Sequence, residues 1–318
     1  MNNRFTLLRL RVQLQEFQSG SSISRFCKTS ITVIMSKIFS SFSSSSKSSA
    51  AFPDTDDLKF IDFQEYRCAI VADKIYQLAD LSEIGLPTAS FAQIQNIFGD
   101  PQILPHESDG FRVQLHHDQH SDKFILCFGG TIPCNITDWR TNFNQFFGKR
   151  AEQYVRGIEL AGQIRNDYID RVIVTGHSLG GGIATAAAIS RKLKCFVFNP
   201  PAIHKNTLKE FEPLEIREID KLITRFVVAG EFLDLVNKTI SIKHNRIGKK
   251  QQLYGSYKIP NLIGLFFGRR LLAKIIPNPI ILLVSTIGLP LLEKSLALHR
   301  MDEVLYGLKK YLTIKSPK

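Results

Sequence analysis

Apolar residues at Phe63, Ala69, Ile70, Ile75 and Leu78 recur at about 3.6-residue spacing, which predicts a helix and places the start of ordered sequence near Asp56. Two apolar runs separated by a polar turn, Phe111–Leu115 and Lys123–Phe128, predict strands. Helix-like spacing follows over Trp139–Phe147 and from Lys149 to about Asn166. Then Arg171–Thr175 predicts a strand and Leu179–Leu193 an alanine-rich helix. Lys194–Phe198 and Arg225–Ala229 predict two more strands, and Met301–Tyr306 begins an amphipathic helix. Strands alternating with helices predict an α/β fold with a mostly parallel central sheet and helices on both faces. No internal repeat is visible.

Two stretches depart from this alternation. Nine of the fourteen residues from Ser36 to Ser49 are serine, too polar a run to offset its chain entropy by burial. Residues 1–55 therefore read as a leader outside the folded domain, which spans 56–318. The leader is basic, serine-rich and nearly free of acid, as organelle transit peptides are, and Met35 is an alternative start. The second stretch, residues 235–292, carries nine basic groups and no acid. It includes an uncharged run of eighteen residues, Ile275–Leu292, interrupted by Pro277, Pro279, Gly288 and Pro290. That length reaches the threshold for a membrane span, but the prolines suit an apolar lid or a pair of interfacial helices better. A buried acyl-chain tunnel is the third reading.

Composition narrows the class. With 44% apolar and 22% charged residues among 318, the chain is neither disordered, collagen-like nor polytopic in a membrane. Its net charge of +12 is concentrated in residues 1–53 at +6 and in 235–292 at +9, leaving −3 elsewhere. Basic groups beside apolar runs fit an anionic membrane surface better than nucleic acid, which is the weaker reading and is not expected as a partner. Five cysteines without a CxxC pair read as buried thiols.

Gly176-His-Ser-Leu-Gly180 fits G-x-S-x-G between a predicted strand and a predicted helix, the setting of a nucleophile elbow. Glycines at both ends remove the Cβ atoms that would clash in so sharp a turn. Ser178 then projects above the sheet. A phosphate loop would need the lysine of GxxxxGK[ST], which is missing. His177 points away from its neighbour and reads as a packing residue.

The segment Val174–Gly182 resembles the elbow of the class 3 (fungal-type) lipase family within the α/β-hydrolases. Phe128-Gly-Gly-Thr131, with Asp138-Trp139 and Asn142 downstream, is similar to that family's F-x-G-[ST] strand end and D-W-x-x-N. The resemblance covers roughly Phe124–Asp234 and a short C-terminal match. It implies an α/β-hydrolase fold and gives Thr131 the role of oxyanion-hole donor, with the amide of Leu179 as the second. Two such N–H groups must face the developing oxyanion, and one can be worth about 2.7–4 kcal/mol.

An activated serine needs an acid and a histidine, here in the order Ser…Asp…His. Asp234-Leu-Val236 matches the family's D-x-V setting after the strand, so Asp234 is the expected acid. Glu231 lies nearer the strand end and is its rival. His116, His117 and His120 precede the nucleophile, His204 comes too early, and His244 leaves little chain for a returning strand. His299 precedes the terminal helix, as the family's histidine does, and is the expected base.

The expected protein is a serine lipase or phospholipase acting on glycerolipid esters at a membrane, peripheral rather than spanning. No cofactor and no metal is called for, and the partners are the lipid substrate and an anionic membrane surface. Two other readings are a hydrolase of a soluble ester, thioester or amide, and an inactive membrane-binding module on the same scaffold.

Overall fold

The computed structural model describes residues 59–77, 79–104, 106–108, 111–130, 152–208, 218–239, 244–257 and 294–315, with the single positions 211 and 216. The leader at 1–55, the Trp139–Phe147 segment and the apolar runs at 258–293 lie outside them.

Nine strands are assigned among the described residues: β1 (His106–Ser108), β2 (Phe111–Asp118), β3 (Lys123–Gly129), β4 (Val172–His177), β5 (Lys194–Phe198), β6 (Ile203–His204), β7 (Ile223–Val228), β8 (His244–Asn245) and β9 (Lys249–Leu253). Seven form one sheet in the order β1-β2-β3-β4-β5-β7-β9, and β6 pairs with β8 apart from it. Within the large sheet every pairing from β3 onward is parallel, β1 and β2 make an antiparallel edge, and the separate β6–β8 pair is antiparallel. This is the α/β architecture that the alternating pattern predicts.

The helices that flank it are α1 (Gln64–Lys74), α2 (Phe91–Phe98), α3 (Glu152–Gly162), α4 (Leu179–Arg191), α5 (Phe232–Thr239) and α6 (Met301–Lys315). Alternation along the central strands divides the core in two. Leu126, Phe128 and Val174 pack with Ile97 of α2, Leu160 of α3 and Ala187 of α4 on one face. Ile125, Cys127 and Ile173 face the opposite way, onto Ala69 and Ile70 of α1 and Leu308 of α6. Both faces are covered, so β3 and β4 read as nearly continuous apolar runs. Cys68, Cys127 and Cys195 are free, buried thiols.

One expectation about organisation changes. The stretch 235–292 does not leave the core at residue 235: its first part completes α5 and then returns as β9, parallel to β7, with Arg225 opposite Lys250 and Val228 opposite Leu253. Lys-Lys-Gln-Gln-Leu is polar because β9 is the sheet's edge, where only Leu253 is buried and lysines discourage further pairing. The apolar, lid-like part lies outside the described residues.

Candidate active site

Strand β4 ends at His177 and α4 begins at Leu179, so Ser178 alone makes the turn. Its backbone sits at φ 53°, ψ −127°, a conformation that costs a non-glycine residue roughly 1–3 kcal/mol. Two hydrogen bonds hold it: Ser178 N–H donates to Phe198 O at 3.0 Å, and Gly182 N–H donates to Ser178 O at 3.1 Å. The flanking glycines are steric requirements. A Cβ at Gly176 would lie 2.5 Å from the Gly180 carbonyl, and one at Gly180 only 2.1 Å from Phe128 O.

His299 arrives from the turn before α6 and is 4% exposed. Its Nε2 lies 2.8 Å from Ser178 Oγ, and its Nδ1 lies 2.6 Å from Glu231 Oε2. Glu231 is fully buried and stands immediately before α5, at the N-cap. Its carboxylate accepts the Leu233 N–H at 2.8 Å on Oε2 and the Asp234 N–H on Oε1. Capping the helix thus fixes the carboxylate against the ring. With Oε2 an acceptor, Nδ1 carries the imidazole proton, which leaves Nε2 bare to accept the serine O–H.

The expectation that Asp234 meets the imidazole is corrected by this geometry. Asp234 lies in the first turn of α5, and its Oδ1 accepts from Lys250 Nζ of β9 at 3.1 Å. The strand stops at Val228, so only Ala229 and Gly230 separate it from Glu231. The acid nearer the strand end therefore reaches the ring. The D-x-V match at Asp234 is a local likeness without the contact.

Electrostatics follow from burial. Desolvation pushes the His299 imidazole down from 6.5 to about 4, so the ring is neutral at pH 7, as a general base must be. Burial and the nearby Asp234 carboxylate push the Glu231 carboxyl up, while the Leu233 and Asp234 amides and Lys250 draw it back. His177 is pushed down to about 3, first by burial and then by His299.

The other expected positions divide. Leu179 is the first residue of α4, where a backbone N–H has no partner within the helix. Thr131 lies outside the described residues. Next to it, Gly130 N–H donates to Tyr76 Oη at 2.8 Å. The earlier histidines are placed elsewhere. His116 Nδ1 and His120 Nε2 sit on Leu86 O and Ile84 O, at 2.8 and 2.9 Å. His204 and His244 are register partners in the small sheet.

Residues 67–264, well over half of the chain, match the family described as phospholipase-like, with a Tle-like phospholipase domain. Over 144 residues the chain is 27% identical to an extracellular phospholipase A1 of Serratia liquefaciens. That match covers 45% of this chain and 44% of the relative, so the chain spans less than half of the relative's length. A crystal structure of M37 lipase superposes at TM-score 0.34 and 12% identity, over 78% of this chain and 99% of that one, too slight a likeness to bear on function. The 198-residue family match is the decisive one: the chain belongs to the phospholipase-like family built on the Tle-like phospholipase domain.

Proposed function

We propose that the protein is a serine hydrolase that cleaves a carboxylic ester of a glycerophospholipid at a membrane surface. Ser178 is the nucleophile, His299 the general base and then acid, and Glu231 the carboxylate that orients the ring. The observation that carries this reading is the unbroken chain from Ser178 Oγ to His299 Nε2, 2.8 Å, and from His299 Nδ1 to Glu231 Oε2, 2.6 Å.

In the first step Ser178 Oγ attacks the ester carbonyl while its proton passes to His299 Nε2. The imidazolium so formed is stabilised by Glu231, and the oxyanion by the amide of Leu179 with that of Thr131. The proton then goes to the departing alcohol oxygen as the C–O bond breaks, leaving an acyl-serine. Water enters, gives its proton to Nε2, and releases the fatty acid as the serine is restored.

Family membership and the phospholipase A1 relative favour a phospholipid as the ester. The likeness of Val174–Gly182 to class 3 lipase elbows points to the same chemistry. The nine basic groups and the apolar runs of 235–292 favour an anionic interface for the encounter. Among the described residues no helix is long and apolar enough to cross a membrane, and the proposed association is peripheral.

The test is to incubate the purified protein with vesicles of phosphatidylcholine and phosphatidylglycerol and identify products by mass. Wild type should release free fatty acid and lysophospholipid, and Ser178→Ala should release neither. Hydrolysis of a short soluble ester with no phospholipid turnover would keep the triad and discard the lipid substrate.

A further inference from the structure

The proposed base is delivered by a turn. A short helical stretch leads into it, with Leu298 N–H donating to Lys294 O at 3.0 Å and His299 N–H to Leu296 O at 3.1 Å, and α6 begins two residues later. A catalytic ring carried on a turn needs support from rigid elements to hold its geometry. Here the support is applied to the main chain of His299.

The His299 carbonyl oxygen accepts two side-chain hydrogen bonds, from His177 Nε2–H at 2.7 Å and from Asn199 Nδ2–H at 3.1 Å. His177 immediately precedes Ser178, and its ring lies beside that of His299 with centroids 4.9 Å apart. It thus joins the turn that carries the nucleophile to the turn that carries the base. Asn199 performs the corresponding link to the acid. Its Oδ1 accepts Val228 N–H at 2.9 Å, at the end of the strand that leads to Glu231, and its own N–H donates to Phe226 O at 2.8 Å. Asn199 is fully buried and adopts φ 44°, a left-handed backbone that asparagine tolerates better than most residues.

We propose that His177 and Asn199 are positioning residues that clamp the His299 carbonyl and so register the base against both the nucleophile and the acid. The inference rests on the reading of Ser178, His299 and Glu231 as the catalytic set. Neither side chain hydrogen-bonds to Ser178 Oγ or to the His299 ring, whose nitrogens meet Ser178 and Glu231. Their donors occupy both lone pairs of one carbonyl, which fixes the turn in two directions. Burial keeps His177 uncharged, so its ring adds no positive charge beside the imidazolium that forms during turnover.

The test compares His177→Gln, whose amide nitrogen can replace Nε2 as donor, with His177→Phe, which fills the space without a donor. The readout is the rate at which a fluorophosphonate inactivates the folded protein, with melting temperature measured in parallel. His177→Phe should react about 10²-fold more slowly, the scale of loss for a misplaced catalytic group, and His177→Gln should stay close to wild type. A purely structural role would lower the melting temperature of both variants without separating their rates. His177→Phe as fast as wild type, or His177→Gln as slow as His177→Phe, overturns the inference. Asn199→Asp keeps the acceptor for Val228 and loses the donor to His299, so it should slow the reaction in the same way. If His177→Phe does not fold, a wild-type rate in folded Asn199→Asp overturns the clamp. Failure of the underlying reading is distinguishable, because wild type itself would then be unreactive or Ser178→Ala equally reactive.

Discussion

Glu231 and His299 are 68 residues apart in sequence, yet the carboxylate Oε2 lies 2.6 Å from the imidazole Nδ1 in a contact almost closed to water. Two structural features meet there. Glu231 is held by the helix it caps, and His299 by the turn that precedes the last helix. The bond fixes the tautomer of the ring and leaves Nε2 facing Ser178.

The two neighbouring acids should therefore separate cleanly. Glu231→Gln keeps the size of the side chain but cannot stabilise the imidazolium, and kcat should fall on the order of 10⁴-fold. Asp234→Asn weakens the pair with Lys250, whose side chain is 30% exposed, and leaves the Glu231–His299 contact in place, so kcat should fall less than about tenfold. Steady-state kinetics on one ester substrate compares them. The reverse ranking would move the orienting role to Asp234.

The pH profile follows from the burial of His299. The proposed base must be neutral, so activity should be lost as pH falls through the pKa of the ring. Burial holds that value down to about 4, so the acid limb of kcat/KM should lie well below the ordinary 6.5. Rates measured from pH 4 to 8 read this directly. Half-loss of kcat/KM at pH 6.5 or above would contradict it.

Gly180→Ala places a methyl group 2.1 Å from Phe128 O, against backbone that cannot yield. It should cost about 1–3 kcal/mol in stability and remove activity even in the folded fraction, because the elbow must shift. Gly162→Ala meets nothing within 4 Å at the end of α3 and should be neutral or slightly stabilising. Thermal melts with ester assays separate the two. Equal effects would mean that the elbow is not the constrained site.

The basic stretch gives a prediction that depends on charge alone. Replacing Arg269, Arg270 and Lys274 by glutamine should weaken binding to phosphatidylglycerol vesicles, at about 1 kcal/mol per residue near the surface. Hydrolysis of a short monomeric ester should hardly change. Vesicle co-sedimentation at low salt checks this, and undiminished binding by the triple variant would contradict it.

Much of the fold was legible because its signals are local. The apolar run Lys194–Phe198 has the same bounds as the strand it forms, and the strand-to-helix junction at Ser178 is readable from two glycines and an alanine-rich run. Strand β9 was not legible. Its Lys-Lys-Gln-Gln-Leu sequence is that of a protected edge, which carries little apolar signal.

The candidate site was legible where chain order constrained it and obscure where only contact could decide. The elbow singles out Ser178 and the position before the terminal helix singles out His299, and the structure brings the two side chains within 2.8 Å. Choosing between Glu231 and Asp234 required knowing that the strand ends at Val228 and that Glu231 caps α5, a difference of a few residues that motif likeness does not resolve. The signal available was the position of Glu231 as the first acid after the strand. The sequence reads His177 as packing, and its donor role and that of Asn199 depend on a backbone carbonyl 122 and 100 residues away in sequence, to which no pattern points.

Treating the protein with a fluorophosphonate at neutral pH and mapping the adduct by peptide mass spectrometry asks whether Ser178 is the activated nucleophile. One adduct, on Ser178, should form rapidly in wild type and on the order of 10⁴-fold more slowly in Glu231→Gln. An adduct on any other residue, or none in the folded wild-type protein, would contradict it.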